Sequence, residues 1–110
     1  MASLGKAMFK GDSGKVYRFK VFPLGTRLRK ISGIYLIACR AHGNDGGHRH
    51  KILYVGHTND FSQPFEKHGK AKALVGLGAN CICVQSDDSE ASRVEKERDL
   101  VATFDPACND

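Results

Sequence analysis

The sequence predicts an α/β domain of the α+β kind: a small antiparallel sheet of three central strands, an added N-terminal strand, and flanking helices. Two short apolar runs, 33–39 and 50–55, are separated by a polar, glycine-rich stretch, the pattern of a hairpin with a long loop. Two further segments, 15–22 and 80–85, show the period-2 alternation of strands. Residues 87–104 carry the strongest helical period and are closed by Asp105-Pro106. With 110 residues, the chain suits one domain spanning 1–110, built on one core.

In chain order, residues 1–14 contain three glycines and no clear period, so a loose lead-in is expected there. Lys15 to Phe22 places Tyr17, Phe19 and Val21 on one side and Arg18 and Lys20 on the other, giving a half-exposed strand with a basic outer face. Pro23 to Lys30 is a basic loop marked by Pro23 and Gly25. Gly33 to Cys39 is apolar on both faces and reads as a central strand. Gly43, Asn44, Asp45, Gly46 and Gly47 signal the turn that returns the chain into strand 50–55.

Asp60 to His68 reads as a short helix interrupted by Pro64. Proline lacks an N–H and is tolerated best at the first helical position. The helix is therefore expected to start near Pro64, with Ser62 or Gln63 as cap. Gly76 and Gly78 argue against a helix over 70–79. In strand 80–85, Cys81 and Cys83 share one face, and Ile82 and Val84 the other. The closing helix has Asp87, Asp88 and Ser89 as capping residues, and acids there suit the helix dipole. Its apolar stripe is Val94, Leu100, Val101 and Phe104, with Glu97 in the middle.

Hydrophobic residues make up 41% and charged residues 26%, a globular rather than disordered balance. No apolar run is long enough to cross a bilayer, and the N-terminus does not read as a secretory signal, so the cytoplasm is the expected location. The net charge of +5 is uneven. Residues 1–40 hold nine Lys or Arg against one acid, whereas residues 87–110 hold eight acids against three bases. A basic half suits either a phosphate backbone or a solvated surface. The cysteines are Cys39, Cys81, Cys83 and Cys108, and without an export signal they are expected to stay reduced. Cys39, His42, His48 and His50 offer zinc donors, but their spacing matches no standard finger.

Glu97 is the residue whose placement argues for chemistry. A carboxylate centred on a core-facing stripe is costly unless a cation or hydrogen bonds compensate it. Mg²⁺ or Mn²⁺ would do so, since both favour carboxylate oxygen and water. The structural alternative is a glutamate at the edge of the buried face, reaching water or pairing with Arg93.

Gly33-Ile34-Tyr35 and Tyr54-Val55-Gly56, followed by Thr58 and His68 and then by Glu97, Leu100-Val101, Pro106 and Asn109, form an ordered set. That set resembles the GIY-YIG nuclease superfamily over residues 33 to 109. The family's arginine position, between the threonine and the histidine, holds Pro64 here. The resemblance implies a metal-dependent endonuclease-like domain. Tyr35 and Tyr54 would activate water, His68 would assist or contact phosphate, and Glu97 would ligate Mg²⁺ or Mn²⁺. Gly56 would allow the backbone close to a phosphate. The alternative for both tyrosines is plain core packing with a hydrogen-bonded hydroxyl, the commoner fate of strand tyrosines. Proline holds no charge, so phosphodiester cleavage is expected to be weak or lost. Lys67, one turn later, or Arg18 from the added N-terminal strand are the candidates to reach the same space, although a lysine is a poor stand-in for a guanidinium fork.

The expected partner is DNA, bound with low specificity through Arg18, Lys20, Arg27, Arg29, Lys30 and Lys67. The alternatives are a non-catalytic protein-interaction module on the same fold, or other phosphoryl or small-molecule chemistry in the same cleft.

Overall fold

A computed structural model describes residues 3–43 and 47–109. The architecture is α+β: one five-stranded antiparallel sheet, two α-helices and a single 3-10 turn among the described residues. The strands are β1 (Gly5–Lys10), β2 (Val16–Pro23), β3 (Gly33–His42), β4 (His48–Thr58) and β5 (Cys81–Ser86), in the spatial order β1-β2-β5-β3-β4. The helices are α1 (Ala71–Gly76) and α2 (Glu90–Phe104), and the 3-10 turn is Phe65–Lys67.

The sheet has one strand more than the sequence pattern predicts. The supposed lead-in contains β1, which pairs with β2 from Gly5↔Val21 to Lys10↔Val16. Its alternation rests on only two inward residues, Ala7 and Phe9. Phe9 packs between Phe19 and Phe104, with ring centroids 5.7 and 5.8 Å away. Those partners come from β2 and α2, so nothing local announces the strand. Asp99 of α2 fastens the β1–β2 turn. It accepts hydrogen bonds from the Ser13 N–H and hydroxyl and from Tyr17 Oη, each at 2.7 Å.

Two apolar layers sandwich the sheet. One face carries Phe19, Ile34, Leu36, Ala38, Cys81 and Cys83, all essentially sealed from solvent, and α2 covers it through Leu100. The other face carries Ile37, Leu53 and Ile82, covered by Leu74 of α1, Phe65 of the 3-10 turn and Cys108 of the C-terminal tail. The β3–β4 register shifts at Ile37/Ala38, where Leu53 is the extra residue. The shift leaves Tyr54 and Gly56 on the second face, while Val55 joins the α2 side.

β3 and β4 run further than the expected strands 33–39 and 50–55, because residues 40–42 and 48–49 continue the ladder at the hairpin end and Gly56 to Thr58 continue it at the other. Gly43 N–H bonds to Gly47 O at 2.8 Å at the head of the hairpin. The turn residues Asn44, Asp45 and Gly46 lie outside the described set. Gly33 is required where β3 meets β5: an added Cβ would lie 2.1 Å from Gln85 O and 2.7 Å from the Phe61 ring.

Three helical expectations change. Pro64 does start a turn, but a single 3-10 turn with no side-chain cap. Ser62 and Gln63 bond back to the Asp60 carboxylate instead of capping, with Ser62 N–H at 2.8 Å. A short α1 forms within 70–79 despite Gly76, which is its last residue, because burying Leu74 compensates the weak propensity. The closing helix begins at Glu90, with Ser89 Oγ capping Ser92 N–H, and ends at Asp105 in the left-handed conformation. Val94, assigned to its buried stripe, is 37% exposed, and Arg93 is buried instead. No helix among the described residues is long and apolar enough to cross a membrane.

Candidate functional site

Tyr35, Tyr54 and His68 come together on the sheet face opposite α2. Tyr35 is paired with Gly56 across the β3–β4 ladder, and its ring lies over that glycine. A Cβ at Gly56 would meet Tyr35 Oη at 2.7 Å and Tyr54 Cε2 at 2.8 Å. The glycine of the second tripeptide therefore makes room for the two tyrosines. His68 closes the group as the residue that ends the 3-10 turn. Its Nε2 lies 3.0 Å from Tyr35 Oη, and its ring meets Tyr54 edge-on with centroids 5.0 Å apart.

The hydrogen-bond pattern sets the imidazole tautomer. The backbone N–H of Lys70 donates to His68 Nδ1 at 3.1 Å, so Nδ1 carries no proton. Burial, then the charge of Lys70, holds His68 below its ordinary pKa, which keeps it neutral near pH 7. Its proton is therefore on Nε2, and His68 donates to Tyr35 Oη. The Tyr35 hydroxyl proton points elsewhere.

Both phenols are pushed up. For Tyr35 the causes are burial, then Tyr54, then the negative charge of Glu97. For Tyr54 they are burial and then Glu97, opposed by a hydrogen bond with Tyr35. A general base works best with a pKa near the operating pH. A phenol above its usual value of about 10 is phenolate in less than about one part in a thousand at neutral pH.

Glu97 stands outside this trio and its pocket, although its charge reaches both tyrosines. On the α2 side of the sheet its Oε2 lies 2.5 Å from His57 Nδ1. The proposed Arg93 pairing does not form, because Arg93 donates to Asp87 O at 2.9 Å. His57 was passed over in the sequence. The signal was available: it follows Gly56 directly and so points to the opposite face, toward the closing helix.

Thr58 and Asn109 are structural. The Thr58 hydroxyl and the Asp60 backbone bond to each other at 3.1–3.2 Å, shaping the turn after β4. The Asn109 side chain both accepts from Val55 N–H and donates to Val55 O at 2.8 Å, clamping the tail along the edge strand.

A pocket of about 250 Å³ opens beside the trio, lined by Tyr35, His68, Thr58, Pro64 and Lys67 among others. Of the two cations considered as substitutes at the Pro64 position, Lys67 lines this pocket and Arg18 does not. Lys70, not anticipated, places Nζ 5.6 Å from the Tyr54 ring centroid and donates to Cys108 O. A second, larger groove of about 600 Å³ holds Arg18, Lys20, Arg27 and Arg29 together, with Lys6 added from β1. No acid lines it among the described residues, and Phe22, Leu28 and Val84 form apolar wall. The groove and the pocket share Thr26, Leu28 and Phe61, so they adjoin. Lys30 is not among the groove residues.

The zinc grouping of Cys39, His42, His48 and His50 is not assembled. Cys39 packs into the face opposite α2, beside Ile37 and Ile82. His50 instead clusters with Cys81 and Cys83.

No family model matches this chain, and no curated protein or solved structure does so significantly. The site is therefore judged on its geometry.

Proposed function

We propose that this chain is a GIY-YIG-type domain that binds DNA with low specificity, and in which phosphodiester cleavage is weak or lost. The observation that carries the proposal is the acid-free cationic groove that adjoins the pocket lined by Tyr35 and His68. Five cations along one groove suit a phosphate backbone, and the apolar wall suits sugar and base faces. In the pocket, Lys67 is the cation able to face a phosphate, while His68 Nε2–H is engaged with Tyr35 Oη and Asp60 adds one acid to the lining.

Two features favour binding over turnover. Pro64 supplies no charge for the pentavalent phosphate. Both candidate water-activating phenols are held protonated by burial and by Glu97. Glu97 fits a divalent ion in part. Its side chain is 30% exposed and offers one carboxylate next to an imidazole, and Mg²⁺ often takes one or two carboxylates plus waters. Glu97 would hold Mg²⁺ or Mn²⁺, giving up its contact with His57, and the ion would supply positive charge on the α2 side of the sheet, outside the Tyr35–His68 pocket.

The test is fluorescence anisotropy of a labelled duplex over a salt series. With four to five phosphates neutralised, affinity should fall by about a few hundredfold between roughly 50 and 200 mM salt. Arg27→Gln with Arg29→Gln should flatten the log–log slope by about two. Salt-insensitive binding, or a slope unchanged in the double variant, would refute the groove assignment. Robust plasmid cleavage in Mg²⁺ or Mn²⁺ that vanishes in Glu97→Ala would overturn the loss of catalysis.

A further inference from the structure

Under α2, on the face away from the pocket, lies a second chemical cluster. The donor atoms of His50, Cys81 and Cys83 all lie within 4.8 Å of one another. Both cysteines are fully buried free thiols. Buried thiols alone are ordinary core residues. The imidazole distinguishes this cluster, because its Nε2 is buried and has no hydrogen-bond partner. Such a nitrogen costs free energy unless something satisfies it.

We propose that His50, Cys81 and Cys83 form a binding site for a soft monovalent metal ion, Cu⁺. Two thiolates and an imidazole are soft donors that select Cu⁺ or Zn²⁺ over hard cations. Donor count and charge then separate the two. Zn²⁺ in structural sites takes four ligands, and this cluster offers three among the described residues. Two thiolates with Zn²⁺ are neutral, whereas with Cu⁺ they carry one negative charge.

A compensating cation is in place. Arg40 is directly across the ladder from His50, and its charge reaches both thiols. Its Nε is also buried without a partner, while the guanidinium NH2 group donates to Leu4 O at 3.1 Å. The Cu⁺ complex plus Arg40 is neutral overall, whereas the Zn²⁺ complex would leave the half-buried Arg40 without a counter-charge.

The surroundings fit. With metal–ligand bonds of about 2.0–2.3 Å, donors sit roughly 3.5–4 Å apart, so side-chain shifts of less than about 1 Å close the site. Phe9 meets the His50 ring edge-on at 5.7 Å and shields it, which gives β1 a role in excluding water. Arg40 also lines a shallow pocket of about 160 Å³ with His42 and His48, whose rings lie 4.6 Å apart. Those exposed imidazoles, His48 two residues from His50 along β4 and His42 across the ladder on β3, give an incoming ion a place to exchange ligands. On binding, the two thiols release two protons to solvent, the neutral imidazole contributes a lone pair, and no electron is transferred.

The test is an anaerobic titration of the whole chain with Cu⁺ against a chromophoric Cu⁺ chelator. One ion per chain and about two protons released per ion are expected. His50→Gln should weaken binding by at least about tenfold, and Cys81→Ser or Cys83→Ser by more. Cys39→Ser, on the other face, should leave both stoichiometry and affinity unchanged. Zn²⁺ in place of Cu⁺ should bind at least about 100-fold more weakly. Should the buried cysteine variants fail to fold, the half-buried His50→Gln and the Zn²⁺ comparison decide. The proposal is overturned if the chelator removes all Cu⁺, if His50→Gln binds as tightly as the parent, or if Zn²⁺ is preferred.

Discussion

Replacing Gly56 with alanine tests the centre of the candidate site. The new Cβ would sit 2.7 Å from Tyr35 Oη, 2.8 Å from Tyr35 Cζ and 2.8 Å from Tyr54 Cε2. Carbon contacts are comfortable at about 3.5–4.0 Å, so both rings must retreat by roughly 0.7–1 Å. The Tyr35–His68 hydrogen bond, now 3.0 Å, would open beyond hydrogen-bonding range. Overpacking costs about 1–3 kcal/mol and the lost bond about 1 kcal/mol, giving a destabilisation of about 2–4 kcal/mol. That is a large share of a typical domain stability of about 5–15 kcal/mol. Urea unfolding followed by circular dichroism measures the loss. An NMR titration of His68 supplies the local readout: as the group opens to water, its pKa should rise toward the ordinary value. Gly76→Ala is the control, because nothing lies within 4 Å of its added Cβ and it ends α1. It should gain up to about 0.5–1 kcal/mol. A Gly56→Ala protein within about 0.5 kcal/mol of the parent, with an unchanged His68 titration, would refute the described packing.

Asn109→Ala should remove both side-chain bonds to Val55 and cost about 2 kcal/mol, seen as a fall of about 5–10 °C in Tm. If Tm holds while DNA or Mn²⁺ binding is lost, Asn109 belongs to the site and not to the edge clamp. Stability should also fall on acidification. Burial holds His50 and His68 below their ordinary value of 6.5, so the folded state binds fewer protons than the unfolded chain below about pH 6.5. Their contribution is fully present above that pH and is lost as pH drops through the window beneath it. Asp87, lowered to about 2 mainly by its bond from Ser92, adds a further loss below its ordinary 3.8. A urea midpoint that is constant from about pH 7 to 5, or that falls equally in His50→Gln/His68→Gln, would contradict this.

Much of the molecule is written in local pattern. The alternation at Tyr17, Phe19 and Val21 and the split faces of the strand expected at 80–85 follow from period 2, and the two tripeptide strands from their apolar runs around a turn signal. The stop at Asp105-Pro106 follows from backbone chemistry. The resemblance singled out Tyr35, Tyr54 and His68, and the fold brings them within contact. What stayed hidden depends on partners distant in the chain. β1 exists because Phe9 finds Phe19 and Phe104, and α1 because Leu74 finds the sheet. Helical phase placed Val94 in the core and left Arg93 out, but in the fold Arg93 is buried and Val94 exposed. Glu97 lies on the expected face, yet its neighbour is His57, forty residues earlier, and no helical period encodes that distance. The same holds for the cluster under α2. Cys81 and Cys83 share a face by alternation alone, but pairing along β3 and β4 is what brings His50 and Arg40 beside them. Sequence determines which face a residue presents, because that is a property of three or four neighbouring peptides. Tertiary structure decides what that face meets, because strand order and register join segments that share no local signal.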